Sequence, residues 1–237
     1  MNTTFKTLAS IAILSPMANA ALVGLNFQGD AIINLAAGTI AGSTAGTIAP
    51  QQNWNNALNG NNNAGSIADL VSSTGSSSGI TAAWLGPDSW RASGTATTGN
   101  EQMSYGFIKA NGGSTQIPSG NVTVTFSGFT SGSLFDMVIY TATDNNLPTG
   151  TFRLDDTLNT SVSYAVGSGN VATFTEDVTK HMFTGLTAVN NSVTLTMSGT
   201  GAGLAGVQFS PIPEPSSAVL LGLGALGLLA HRTRRQA

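Results

Sequence analysis

Short runs of alternating apolar and polar residues follow one another along most of this chain. Residues 122–126 read Val-Thr-Val-Thr-Phe, and residues 193–197 read Val-Thr-Leu-Thr-Met. Because successive side chains of a strand point to opposite faces, each run predicts a strand with one buried face and one solvent face. Residues 134–143 are more continuously apolar, as expected of a central strand. The pattern predicts an all-β fold, a β-sandwich of short strands.

Other segments share this character and are expected to be strands. They are residues 22–27, 81–85, 103–108, 151–154, 162–166, 171–175, 181–183 and 204–209. Between residues 21 and 212, helical periodicity is not sustained beyond about two turns, and only a short helix is expected, near residues 54–58. Residues 36–49 and 53–79 are rich in small and polar residues, which predicts long loops gathered at one end of the sandwich.

The N-terminal twenty residues predict a secretory signal peptide. Lys6 precedes an apolar run at residues 8–14, and Pro16 and the sequence Ala-Asn-Ala at 18–20 follow it. A basic start, a short apolar run and a small-residue cleavage site are the features of such a peptide. The alternative, a buried strand of the folded core, does not account for this order.

The C-terminal residues have the pattern of a targeting segment rather than of a folded core. Pro-Glu-Pro at 213–215 is followed by an uncharged run at 218–230 and then by arginines. As a helix the run would be about 20 Å long, whereas a bilayer core is about 30 Å thick. The helix spans the bilayer only if flanking residues also enter the hydrocarbon core and the arginines reach the headgroups. This length suits a temporary transmembrane helix.

This order of motifs resembles the PEP-CTERM sorting signal of Gram-negative bacteria. The residues that carry the resemblance are Pro213, Glu214, Pro215, Arg232, Arg234 and Arg235. The resemblance implies an exosortase in the inner membrane as partner, which cuts near the Pro-Glu-Pro after the helix has anchored the chain in the membrane. The expected destination is the cell surface or the extracellular matrix. The alternative is an ordinary C-terminal membrane anchor that is not processed.

Three regions are therefore expected: a signal peptide at 1–20, a β-sandwich domain at 21–210 and a sorting signal at 211–237. Parts of the middle region resemble the exported β-sandwich proteins that carry PEP-CTERM tails, whose sandwich is similar to galactose-binding-like jelly rolls. The matching pieces are residues 52–56, 79–84, 103–107, 122–140 and 204–209. This second resemblance implies a fold and brings no site residues with it.

Composition excludes several function classes. The chain has no cysteine, which excludes disulfides, thiolate zinc sites and cysteine nucleophiles. Residues 21–210 contain four basic and ten acidic residues, a net charge of −6. Because nucleic-acid binding needs a basic surface, no nucleic-acid partner is expected.

Candidate catalytic groups are few. His181 is the only histidine of residues 21–210, lies in no nucleophile motif and is expected at the surface or rim. The adjacent pairs Asp155-Asp156 and Glu176-Asp177 are expected to be turn residues, since neighbouring strand residues face opposite ways. Together with Asp144, Asn145 and Asn146 they could supply hard oxygen ligands to calcium, but without the spacing of a calcium-binding loop. We therefore expect no catalytic residue and no cofactor, with calcium as the alternative.

Tryptophans suggest one binding function. Trp84 lies in a predicted strand and is expected in the core, whereas Trp54 and Trp90 lie in predicted loops beside many amides. Aromatic faces and planar amides are the groups that hold sugars. Trp54 and Trp90 are thus candidate glycan contacts, and packing beneath the loops is the alternative for both.

The resulting functional prediction is a non-enzymatic, exported surface or extracellular-matrix protein with a structural or adhesive role. The resemblance to PEP-CTERM proteins implies association with exopolysaccharide. A carbohydrate-binding module is the alternative, and a glycan-active enzyme is a third candidate.

Overall fold

The computed structural model describes residues 21–30, 39–40, 45–59, 64–92, 94–110, 120–143, 149–155, 161–165, 173–199 and 203–211. The strands are β1 Val23–Asp30, β2 Asn55–Asn59, β3 Ala64–Ile67, β4 Thr81–Leu85, β5 Asp88–Arg91, β6 Gly106–Lys109, β7 Val122–Ser127, β8 Leu134–Ala142, β9 Thr149–Asp155, β10 Ser161–Ala165, β11 Lys180–Thr187, β12 Ser192–Gly199 and β13 Gly203–Pro211. One short helix, α1, spans Gly99–Tyr105.

The strands form two sheets. A six-stranded sheet has the order β10-β9-β12-β7-β4-β3. A seven-stranded sheet has the order β11-β8-β13-β1-β2, with β6 also pairing with β13 and β5 pairing with β6. Neighbouring strands run antiparallel, except that β2 runs parallel to β1. The predicted all-β class is confirmed, and the jelly-roll connectivity stays a prediction.

The core lies between the sheets and follows from the alternation of residues. On β7, Val122, Val124 and Phe126 are fully buried while the intervening threonines are partly exposed. Phe126 meets Phe209 of the opposite sheet at a ring-centroid distance of 4.5 Å. Burying one such side chain contributes about 1.5–3 kcal/mol. Packing across the interface therefore holds the two sheets together, and Trp84 belongs to this core as expected.

The seven-stranded sheet is covered on its outer face as well. A second apolar cluster lies there, comprising Ile40, Ala45, Trp54, Met103, Phe107, Val138, Tyr140, Ala142, Phe174 and Ala205. Helix α1 and the described parts of residues 39–54 supply much of this cover. The outer face of the six-stranded sheet instead carries threonines, of which Thr125 and Thr194 hydrogen-bond across the strands at 3.1 Å.

The only helix of the described residues is not where the sequence pattern placed it. The predicted helix at 54–58 is wrong, because strand β2 occupies Asn55–Asn59 and extends the sheet beside β1. Helix α1 begins instead with a capping box in which Thr98 accepts a hydrogen bond from the Glu101 amide. The predicted strand at 103–108 therefore holds only from Gly106 onwards.

Other expectations are corrected in part. Residues 53–79 contain β2 and β3 as well as loop, and residues 173–175 form no strand. The predicted signal peptide at 1–20 and residues 171–172 lie outside the described residues, as does the predicted transmembrane helix beyond Pro211. In the described part of the chain, no helix is long and apolar enough to cross a membrane.

Candidate functional site

Trp54 is held inside the cover of the seven-stranded sheet. Its side chain is 6% exposed, and its ring lies 6.3 Å from that of Tyr140, edge to face. The indole Nε1 donates to the Gln51 carbonyl at 3.2 Å. The ring thus packs under the segment around it, and a sugar could reach its face only if this cover moved.

The side chains of the asparagines beside Trp54 form hydrogen bonds with the surrounding backbone. Asn55 accepts from the Val71 amide and donates to the Val71 carbonyl, each at 2.8 Å. Asn56 accepts from the Ile40 amide at 3.0 Å and donates to the Ile40 carbonyl at 3.1 Å. These amides tie β2 to neighbouring loops, which satisfies the groups that a sugar would otherwise use.

Trp90 has a different environment. It lies on β5 and not in the predicted loop, it pairs with Phe107, and its side chain is 41% exposed. Next to it, Arg91 donates to the Tyr105 hydroxyl at 2.8 Å. Of the two candidate glycan contacts, Trp90 therefore offers an accessible indole without rearrangement. The structure places Trp54 and Trp90 in different surroundings rather than in one common pocket.

Gln208 and Tyr140 form a buried polar latch on the outer face of the seven-stranded sheet. The Tyr140 hydroxyl donates to Gln208 Oε1 at 2.9 Å and accepts from the Thr47 amide at 2.7 Å. Gln208 Nε2 donates to the Ala49 carbonyl and to Gln51 Oε1, both at 2.9 Å. Burial raises the pKa of Tyr140 to about 12, so the phenol stays neutral and keeps both hydrogen bonds.

The sequence reasoning missed this latch, although a signal was present. Gln208 is a lone amide within the otherwise apolar residues 204–209, and Asn26 and Gln28 stand in β1 in the same way. All three are buried. A single amide inside an apolar strand indicates that the strand's second face is covered by polar partners.

His181 is buried, so its expected position at the surface or rim is wrong. It lies on β11 with 3% exposure, and its ring packs edge to face on Phe152 at 5.1 Å. Burial lowers its pKa below the usual 6.5, while Asp177 and Glu176 oppose the shift. The Nδ1 atom is 3.9 Å from Asp177 Oδ1. β11 presents this face to the interior, because the register that buries Phe183 also buries His181.

The candidate carboxylates have structural partners. Glu176 accepts from the Met182 amide at 3.0 Å and lies 3.0 Å from Lys180 Nζ. Asp177 has a left-handed backbone, with φ 58°, in the turn before β11. Asp177 lies in a turn as expected, whereas Glu176 forms an isolated bridge with Lys180 across that turn. Asp155 is the last residue of β9 rather than a turn residue, and it forms an exposed ion pair with Arg153 at 2.9 Å.

Asp156 and residues 144–146, the other candidate calcium ligands, lie outside the described residues. Within the ranges that the structure describes, no group of three or more His, Asp or Glu side chains could hold a metal ion.

Both ends of the described body lie at one end of the sandwich. Val23 pairs with Phe209, and Pro211 pairs with Phe135 at the start of β8. Three loop segments meet there: 71–79, 128–134, which includes Leu134, the first residue of β8, and 188–191. The Ser73 amide donates to the Leu22 carbonyl at 2.7 Å, and the Gly128 amide to the Asn191 carbonyl at 3.1 Å. We call these three loops, with Pro211, the exit end.

The residues that follow the exit end match a family model. The model of the PEP-CTERM protein-sorting motif matches residues 211–235, which begin at the last residue of β13. The chain carries a PEP-CTERM sorting motif. The predicted sorting residues, Pro213, Glu214, Pro215, Arg232, Arg234 and Arg235, all fall within the match but lie outside the described residues. The PEP-CTERM motif supports an exported protein that is sorted by an exosortase.

Two further comparisons add little to the PEP-CTERM match. No curated protein matches the sequence of this chain. Among solved structures, the enzymatically active domain of tailspike protein 4 from bacteriophage CBA120 is similar at a TM-score of 0.28 and 11% identity. That similarity covers 57% of this chain and 20% of the tailspike chain. At so low a TM-score it supports neither a fold assignment nor an activity.

Proposed function

We propose that this protein is a non-enzymatic structural or adhesive component of the cell surface or extracellular matrix, delivered by an exosortase. The observation that carries the proposal is the position of the sorting motif. It begins where the folded body ends, at Pro211, so that cutting near residues 213–215 releases the whole sandwich. Association with exopolysaccharide is part of the same proposal.

The described body supports a structural role. Its buried polar groups at Gln208, Tyr140 and Asn55 fasten loops to strands, and Glu176 caps the start of β11. His181 packs in the interior against the ring of Phe152. All of these side chains contribute to the stability of the fold, which supports a structural role.

The delivery step can be tested by intact mass. In cells with an exosortase, the wild-type protein should end upstream of Ala218. A triple variant, Pro213→Ala, Glu214→Ala and Pro215→Ala, should retain the tail in the membrane fraction. Gln236→Ala, one residue beyond the matched segment, should be processed like the wild type. Wild-type protein that keeps residues 218–237 in such cells would contradict the proposal.

Carbohydrate binding is a second candidate, favoured by the exposure of Trp90. An accessible indole offers its face to the C–H groups of a sugar ring. This role would make the protein an adhesive within a polysaccharide matrix.

Retention on immobilised polysaccharide tests this candidate. Trp90→Ala should reduce retention at least about tenfold, which corresponds to about 1.4 kcal/mol. Met182→Ala is the matched control, because Met182 is a similarly exposed apolar side chain on β11. No retention of the wild-type protein, or equal loss in both variants, would discard the candidate.

A further inference from the structure

The exit end differs in composition from the rest of the acidic body. Its loops 71–79, 128–134 and 188–191 contain no Asp, Glu, Lys or Arg. They expose Val71, Leu134 and Val189, whose side chains are 39%, 43% and 39% accessible. These are three of the seven large apolar side chains exposed in the described residues. Asp69 borders loop 71–79, where its carboxylate accepts hydrogen bonds from the Ser77 hydroxyl and the Gly79 amide. This end therefore combines exposed aliphatic groups with a surround that is rich in hydroxyl and amide groups and poor in charge.

A short tether joins the exit end to the predicted membrane segment. Six residues, 212–217, separate Pro211 from the apolar run at 218–230. Fully extended, they span at most about 20–22 Å. The headgroup layer takes up roughly 5–8 Å of this on each side of the bilayer. The exit end is then held within about 15 Å of the headgroup surface for as long as the tail is attached.

We propose that, before the tail is cut, the exit end rests on the outer surface of the inner-membrane bilayer, with Val71, Leu134 and Val189 at the headgroup boundary. The inference rests on the proposed function in one respect, the insertion of residues 218–230. Loops poor in charge, bordered by Asp69, are repelled less by anionic headgroups than the acidic remainder of the body is. Each aliphatic contact is weak, but the tether gives the surface a high effective concentration.

The bilayer fits this end better than a protein groove would. The three exposed side chains belong to different loops, with Ser, Thr, Asn and Gly between them. Scattered aliphatic groups on a broad end suit the wide boundary between headgroups and acyl chains. In this position, Pro211, the first residue of the matched sorting motif, is presented to a membrane-embedded sorting enzyme.

Site-specific fluorescence can test the contact, because the chain has no cysteine of its own. Single variants Val71→Cys and Val189→Cys place an environment-sensitive nitrobenzoxadiazole label on the exit end. Val178→Cys is the matched control, an exposed valine next to Thr179, which hydrogen-bonds Thr141 at the opposite end of β8. The whole chain, produced without exosortase, is reconstituted into vesicles of phosphatidylethanolamine and phosphatidylglycerol, with headgroup-level doxyl lipids as quenchers.

Labels at positions 71 and 189 should shift to the blue and lose at least half of their fluorescence to the quencher, whereas the label at 178 should do neither. If all three labels behave alike, the inference is wrong. If labels at 71 and 189 are shielded only after exosortase is added, the occupant is the enzyme and the inference is again wrong. Flotation separates the two proposals: a chain that does not float with the vesicles contradicts membrane anchorage itself, whereas a floating chain with water-exposed labels overturns only the inference.

Discussion

At the scale of single residues, the buried His181 makes the stability of the fold depend on pH. Its pKa lies below 6.5 because burial disfavours the charged ring, even though Asp177 and Glu176 oppose this. As pH falls below about 6.5, the unfolded chain binds a proton at this histidine that the folded chain does not bind. Stability must then fall as the pH is lowered, by at most about 1.4 kcal/mol per pH unit.

Thermal melts between pH 7.5 and 5 should show this loss in the wild type and a much flatter profile in His181→Phe. Phenylalanine keeps a ring against Phe152 but does not titrate. Glu101 and Asp69 titrate at lower pH, since hydrogen bonds to Thr97 and Ser77 respectively lower their pKa values, that of Glu101 to about 2. Equal pH dependence in wild type and variant would show that another group is responsible.

Two glycines in one loop of the exit end separate backbone strain from crowding. Gly128 and Gly132 both have positive φ, +97° and +79°. A Cβ at Gly128 would lie 2.1 Å from the Gly79 carbonyl oxygen, whereas one at Gly132 would meet nothing within 4 Å. Gly132→Ala should cost about 1–2 kcal/mol from conformation alone. Gly128→Ala should cost about 1–3 kcal/mol more, because backbone must move.

Urea denaturation of the two alanine variants measures this difference directly. Equal free energies of unfolding for the two variants would mean that the backbone at Gly79 moves without an energetic cost. The close approach of the two loops would then not constrain position 128.

At the scale of elements, the alternation of residues was sufficient wherever one face of a strand meets the core and the other meets solvent. This is why β4, β7 and β12 match their predicted positions closely. The pattern failed for β2, whose residues Asn55–Asn59 have no marked alternation. Their conformation is set by pairing with β1 and by hydrogen bonds from their side-chain amides to distant loops. Neither interaction can be recognised from the local sequence. Helix α1 was missed although its capping sequence, Thr98 to Glu101, was readable.

The latch of Gln208 and Tyr140 determines whether the segment 45–51 stays on the seven-stranded sheet. Gln208→Leu removes acceptors and donors for Thr47, Ile48, Ala49 and Gln51 together. Since each buried group left unsatisfied costs about 1–3 kcal/mol, the total loss should reach at least about 3 kcal/mol. Tyr140→Phe should cost only about 1 kcal/mol, because the Thr47 amide keeps Gln208 as acceptor.

Hydrogen exchange of the Thr47 and Ile48 amides reports on the same contact locally. Both amides should lose protection in Gln208→Leu and largely retain it in Tyr140→Phe. Retained protection in the leucine variant would show that the apolar cluster, and not the latch, holds the segment in place.

At the scale of the whole molecule, the sequence was most informative about delivery and least informative about the body. A sorting signal is a linear order of motifs, so it can be recognised from the sequence without knowledge of the fold. A glycan contact depends instead on which indole is exposed. Trp54 and Trp90 were alike in sequence context, but the structure buries Trp54 under the cover of the seven-stranded sheet and leaves Trp90 exposed on β5.

The position of β13 makes the fold depend on the last residues before the sorting motif. β13 lies between β8 and β1 in the seven-stranded sheet, and its residues 203–209 are all buried. A fragment of residues 21–211 should therefore unfold cooperatively, whereas one of residues 21–202 should not, because losing β13 separates β8 from β1 and opens the core. Circular dichroism melts of the two fragments test this, and a cooperative transition in the shorter one would contradict it. β13 ends at Pro211, where the matched sorting motif begins, so the described sandwich is complete without the residues beyond Pro211.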